Sequence, residues 1–376
     1  MPARSFGPWL WSPKLDLSVF GGSVVFAFAV VFAAHLAGVS PGPLPVWGWL
    51  LFVLGVDVAH VYATLFRTYL DPHELRRKPL RYFGVPLAVY AVGVALYAHG
   101  ALTFWRLLAY VAVLHFVKQQ VGWVAVYRAR ETSGKTMDRW VDNAAVYSST
   151  LYPIVHWHAH LGAMDIHWFL DGDFIASLQP ACDAVLPWAR AAWVVAMLVY
   201  VARQSALWRA GEGLRLGKSV VVFGTAFVWY GGIVWAPNDF DFSVTNVIAH
   251  GVPYVALLWM YALASQRDGR MGAGAQIVRG GLATFLAVLL LLAGIEEFLW
   301  NRLIWQDRAW LFGGGGGAID PGLWVFVVPL LSLPQATHYV LDGMIWRRSD
   351  TAAVPSQQRA LGVQSLQPAT ADRILK

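Results

Sequence analysis

The chain has 376 residues, of which 57% are hydrophobic and only 13% charged, and its mean hydropathy is +0.51. A soluble domain carries about 25% charged residues, so water cannot be the main solvent of this chain. The net charge of +6 is read as loops facing anionic lipid, with no nucleic-acid partner, and the single Cys182 allows neither an intrachain disulfide nor a paired-cysteine metal site.

Residues 1–16 form a polar-aromatic N-terminal segment without a signal-peptide cleavage pattern. Ten apolar stretches follow, each long enough to cross a hydrocarbon core at about 1.5 Å per residue. They run Leu17–Val39, Pro43–Phe66, Gly84–Phe104, Trp105–Val126, Val141–Gly162, Leu186–Ala202, Ser219–Ala236, Ser243–Ser265, Gly280–Trp300 and Leu323–Trp346. The sixth and seventh are the shortest. The prediction is an all-α polytopic transmembrane helix bundle of about ten helices over residues 17–346, followed by a polar, poorly ordered tail over 347–376.

Loop charge gives the orientation. Arg67, Arg76, Arg77, Lys78 and Arg81 follow the second stretch, Arg128, Arg130, Lys135 and Arg139 the fourth, and Arg203, Arg209, Arg215 and Lys218 the sixth. Arg267, Arg270 and Arg279 follow the eighth, and Arg347 and Arg348 the tenth, while most alternate loops lack Lys and Arg. By the positive-inside rule both termini are cytoplasmic, and the expected location is the inner membrane of a bacterium. The run Gly313–Gly317 lies in an outer loop and follows no strand, so it reads as a flexible connector and not a phosphate cradle.

Ionisable side chains inside apolar helices are where chemistry is legible. A charge at the bilayer centre costs about 2.5–3.5 kcal/mol on insertion scales, so it normally faces the bundle interior with a partner. The second stretch places Asp57 and His60 three residues apart, and the fourth places His115 four residues before Gln119, beside Lys118. The eighth places Asn246 four residues before His250, ahead of Pro253, which is expected to break the helix. The tenth lines up Gln335, His338 and Asp342. Four helices thus each present a histidine with a carboxylate or amide one turn away, the pattern by which helix bundles build metal sites. Asp57, His60, His115, His338 and Asp342 fall in one layer toward the cytoplasmic side, with His250 slightly outside it. These six are the candidate metal ligands, against the plainer reading of each histidine as helix–helix glue worth about 0.6 kcal/mol. Gln119 would stand behind the ligands, and Lys118 would stabilise developing negative charge.

A second group, His156, His158 and His160, ends the fifth stretch near His167, with Glu296 and Glu297 of the ninth expected at a similar depth. It reads equally as a metal box or an interfacial belt, and His35 and His99 as interfacial. Asp71 before Pro72 predicts a helix N-cap, with His73 in reach of a site from below. The spacing His156-x-x-x-His160 resembles one box of the integral-membrane di-iron desaturases and hydroxylases. The resemblance stops there: the chain has no H-x-x-H-H box, and the orientation puts His156 and His160 on the outer side, whereas those enzymes' sites face the cytoplasm.

The leading expectation is a metal-dependent membrane oxidoreductase, of oxygenase, hydroxylase or desaturase type, acting on a lipid or other lipophilic substrate delivered from the bilayer. Nitrogen and oxygen ligands without thiolate suit iron, manganese or zinc and do not choose among them. Iron is the ion expected with the oxidoreductase reading, with manganese or zinc as alternatives. No dinucleotide or flavin fingerprint is present, so a separate electron donor is implied. A haem-binding electron carrier and a proton- or ion-coupled transporter using the same buried residues are the alternatives.

Overall fold

The computed structural model describes residues 6–39, 44–131, 136–163, 168–236, 238–314, 319–347 and 355–361. Among these the regular structure is entirely helical. Ten long helices carry it: α1 (Pro13–Leu36), α2 (Val46–Arg67), α3 (Pro79–His99), α4 (Ala101–Arg128), α5 (Thr136–Ala159), α6 (Ala176–Arg209), α7 (Leu216–Trp235), α8 (Asp239–Arg267), α9 (Gly281–Trp305) and α10 (Pro321–Ile345). All but α5 are long and apolar enough to cross a membrane, which makes nine such helices among the described residues and marks a multi-pass integral membrane protein. α5 carries Asp138, Arg139, Asp142 and Asn143 in its first turns and His156 and His158 in its last, and this polar content keeps the helix out of the set.

The helix starts follow local chemistry. Ser12 caps α1 by accepting from Leu15 N ahead of Pro13, and Asn238 caps α8 by accepting from Asp241 N. Asp71 accepts from His73 N and Glu74 N to cap the short helix Pro72–Arg77, as its place before Pro72 predicts. α8 crosses the centre, packing on α1, α2 and α7, while α10 packs on α3 and α4 and α9 packs on α2. α3 and α6 form the rim, where Leu87, Trp188 and Leu198 point out of the bundle.

Three expectations change. The sixth stretch, expected to be short, belongs to the longest helix, 34 residues in α6. Asp183 on one side and Arg203 and Gln204 on the other bound the apolar window without stopping the helix. Pro253 does not break α8, which runs through it for 29 residues, because neighbouring helices hold such a backbone in a bundle interior. The tail is ordered over Pro355–Ala360, a helix packed on α8, with Gln357 buried and hydrogen-bonded to Arg67 Nη2 at 2.7 Å and to the Ile345 carbonyl at 2.9 Å.

The two helices that carry the intramembrane histidines His60 and His338 are irregular. α2 is wound in wide π-type turns over Trp49–Val58, regular over Ala59–Ala63 and tight over Thr64–Arg67. α10 is interrupted at Ser332, between Pro329 and Pro334, neither of which has an N–H to donate to the helix.

The basic ends of the helices are tied by buried ion pairs. Lys218 lies 2.8 Å from Glu131 and 2.9 Å from Asp142, and Arg270 lies 3.1 Å from Asp71. Glu74 meets buried Arg67 at 3.4 Å, Arg77 at 2.5 Å and the Tyr82 hydroxyl at 2.8 Å. Burial alone would raise the Glu74 carboxyl, but the Arg77 hydrogen bonds, the Arg67 charge and the Tyr82 hydroxyl outweigh it and hold it below the ordinary 4.5. At Glu131 the balance goes the other way: burial pushes the carboxyl up despite Lys218 and Arg215.

Candidate metal centre

Four helices each bring one buried histidine to a common point: His60 from α2, His115 from α4, His250 from α8 and His338 from α10. One ligand atom from each lies within 4.8 Å of the others. His60 Nε2 and His250 Nε2 are 3.1 Å apart, and His115 Nε2 and His338 Nε2 are 3.2 Å apart. The rings close a circuit in the order His60, His250, His115, His338, with neighbouring centroids 4.7–4.9 Å apart and ring planes inclined by 68–90°. Each imidazole therefore presents an edge to its neighbours and Nε2 to the middle.

The surroundings are apolar and close. Phe116 stacks on His250 at 3.8 Å and 10°, and Tyr339 lies 4.8 Å from His115. Gly251 is required where α8 meets α2. A Cβ there would stand 2.6 Å from Val56 Cγ1 and 3.7 Å from His60 Cβ, so any larger residue pushes the two histidine-bearing helices apart.

Polar groups stand behind the rings, largely from other helices. Thr64 Oγ1 lies 2.7 Å from His338 Nδ1 and 3.0 Å from the Tyr254 hydroxyl. Asp342, although on α10 with His338, turns Oδ2 toward His115 Nδ1 at 3.7 Å, while its Oδ1 accepts from Trp346 Nε1 at 2.8 Å. Asp57 Oδ1 lies 3.7 Å from His60 Nδ1, beyond hydrogen-bond reach. The Nδ1 atoms of His60 and His250 are buried without a hydrogen bond. A neutral imidazole has one N–H and one lone pair, so an acceptor behind Nδ1 fixes the proton there and leaves Nε2 a free ligand.

Of the residues the sequence singles out, the structure thus brings together His60, His115, His250 and His338, and sets Asp57 and Asp342 one layer behind. Gln119, one turn from His115, is buried with both amide atoms unpartnered. Lys118 points elsewhere: it is exposed and donates to the Tyr147 hydroxyl of α5 at 2.9 Å. His73 is exposed on the short helix Pro72–Arg77. Thr64 and Tyr254 escaped notice in the sequence, yet each follows a cluster histidine by four residues; the one-turn rule applied to carboxylates and amides finds them once hydroxyls are admitted.

The outer histidines do not converge in this way. His158 has both ring nitrogens occupied, Nε2 by the Tyr110 hydroxyl and Nδ1 by the Ile154 carbonyl, each at 2.8 Å. His160 Nδ1 bonds the His156 carbonyl at 2.8 Å, and the two rings stack at 4.2 Å. Glu296, expected near them, instead accepts from the Tyr62 hydroxyl of α2 at 2.6 Å, because α9 packs on α2. His35, expected to be interfacial, lies 2.7 Å from Asp241 Oδ2. His167 and residues 315–318 of the glycine loop lie outside the described residues. Comparison with known proteins finds no family model, no curated protein and no solved structure that matches the chain.

Proposed function

We propose that the chain is an integral-membrane, metal-dependent oxidoreductase of the oxygenase, hydroxylase or desaturase kind, acting on a lipophilic substrate. The observation that carries this reading is the convergence of four Nε2 atoms from four helices within one apolar wall. Metal–nitrogen bonds of about 2.0–2.1 Å set tetrahedral ligands about 3.3–3.4 Å apart, close to the 3.1 and 3.2 Å of the two pairs. The full set spreads to 4.8 Å, so an ion would draw the pairs inward. Without an ion, lone pairs facing one another in a dry interior repel unless protons bridge them.

An all-imidazole set suits iron and zinc, and of these only iron supports redox chemistry. Manganese loses ground once Asp57 and Asp342 stand behind the rings, since it prefers oxygen ligands. Electrons would come from a separate donor protein. Haem is the weaker reading: its axial nitrogens stand on opposite sides of a porphyrin, roughly 4 Å apart, and contacts of 3.1 and 3.2 Å leave no room for the macrocycle. Lys118 has no role in this reading, whereas Gln119 offers an amide to a substrate or water near His115. The chain is taken to cross a bacterial cytoplasmic membrane ten times, α5 included, with both termini inside as the basic loops imply.

Elemental analysis of the purified protein, with an optical spectrum, tests the reading. The expected result is a stoichiometric transition metal, lost in His60→Ala and in His338→Ala, and no Soret band. A wild-type protein that folds and carries no metal after reconstitution with ferrous or zinc ion would overturn it.

A further inference from the structure

A cavity of about 280 Å³ lies between α2, α3 and α10, and His338 forms part of its wall. Its position follows from the interrupted course of α10: Leu330, Leu333 and Pro334 on either side of the Ser332 break line it, facing Pro86 of α3. Along α10 the wall runs from Leu330, which is 52% exposed on the apolar outside of the bundle, to His338, which is 2% exposed. The cavity thus leads from the lipid-facing surface to one of the four histidines, over about 12 Å of helix.

The lining chemistry is selective. Among the described residues, no Asp, Glu, Lys or Arg side chain contributes to it. Its polar groups are nearly all engaged: Tyr62 donates to Glu296, Tyr69 donates to the Tyr82 carbonyl, and Thr64 is shared between His338 and Tyr254. The exception is Thr337, whose Oγ1 is buried and has no hydrogen-bond partner, although its residue is only 7% exposed. Thr337 lines the cavity, and a turn of its side chain brings this hydroxyl to a ligand oxygen there; left unpartnered and buried, it costs free energy.

We propose that this cavity binds a slender, uncharged hydrocarbon chain bearing a single hydroxyl or carbonyl oxygen, which hydrogen-bonds Thr337 and sets the neighbouring carbons against His338. The volume, just below the usual ligand-pocket range of about 300–1,000 Å³, takes one segment of such a molecule while the remainder lies in the bilayer. Charged headgroups are refused, because nothing in the wall neutralises them. Catalytic use of the bound segment rests on the metal reading above; the binding itself does not.

Full-length protein in phosphatidylcholine nanodiscs, photolysed with octadecanol carrying a mid-chain diazirine, provides the test. Saturable labelling is expected on the facing segments of α2 and α10, competed by unlabelled octadecanol about three- to tenfold better than by octadecane, the advantage one hydrogen bond supplies. Thr337→Val should abolish that advantage by weakening octadecanol binding about three- to tenfold while labelling at saturating probe persists, and Leu330→Trp should block labelling at the mouth. Labelling that cannot be competed, or competed equally by alcohol and alkane, would overturn the proposal and leave the cavity an ordinary groove for phospholipid tails. Saturable labelling of a metal-free wild type would retain this inference and sink the metal reading; a bound metal without saturable labelling would do the reverse.

Discussion

Gly251 and Val56 touch where α8 crosses α2, and their contact lets His250 and His60 approach to 3.1 Å. A β carbon at 251 would fall 2.6 Å from a Val56 methyl, which is β-branched and cannot swing aside. Gly251→Val is therefore expected to destabilise the protein by about 1–3 kcal/mol and to lower bound metal sharply. Val56→Gly in the same chain should restore much of both, as read by thermal unfolding and metal analysis of the double variant. Loss that ignores the compensating change would mean that helix separation is not the cause.

The carboxylates behind the rings should tune metal affinity without being ligands. Each stands 3.7 Å from a ring Nδ1, outside hydrogen-bond reach. Asp57→Asn and Asp342→Asn are therefore expected to weaken binding by about tenfold or less through loss of a nearby negative charge, below the roughly 10–100-fold usual for a hydrogen-bonded partner, while leaving stoichiometry intact. Chelator competition measures this. If either variant lost metal as completely as His60→Ala, that aspartate would belong to the ligand set.

Thr64 meets His338 Nδ1 at 2.7 Å and is expected to act on metal affinity as a hydrogen-bonded partner. Thr64→Val removes the hydroxyl at nearly constant shape, and about a tenfold or greater loss of metal affinity is expected, with Thr64→Ser close to wild type. Lys118→Ala is the control: its ammonium bonds Tyr147, so metal content should not move.

Acid should loosen the basic end of the bundle through Glu74. Its carboxyl is held below the ordinary 4.5 by Arg77, Arg67 and Tyr82 against the opposing effect of burial. A depressed folded-state value means that the stabilisation is fully present above the unfolded value and disappears as pH falls through the folded one. Unfolding temperature should therefore drop below about pH 4.5. Glu74→Gln should cost about 3–5 kcal/mol at neutral pH, because it leaves buried Arg67 without its charge partner, and should flatten the acid limb of the profile. A variant whose acid limb matched wild type would assign that limb to another carboxylate.

Hydropathy and loop charge made the long helices legible, because burying a helix in lipid demands an apolar run whatever the packing. They also placed His60, His115 and His338 at one height, with His250 near it. What they could not supply is rotation about each helix axis. Asp342 sits one turn from His338 yet faces His115, and Lys118 sits three residues from His115 yet faces Tyr147. Depth alone grouped Glu296 with His156; the packing of α9 on α2 gave it to Tyr62 instead. Such partnerships depend on which helices are neighbours, and one-turn spacing within a helix does not carry that information. The break in α10 was likewise silent, since Pro329 and Pro334 are compatible with a continuous membrane helix as well as an interrupted one.

The circuit of imidazoles joins α2 to α10, which is made after α2, α4 and α8. Domains emerge from the ribosome N-terminus first, so His60, His115 and His250 enter the membrane in turn and wait as an incomplete set. Only the arrival of His338 closes it. If the cluster holds metal, its capture would certify that α2, α4, α8 and α10 have all assembled, and a chain cut short before α10 would lack one of the four imidazoles.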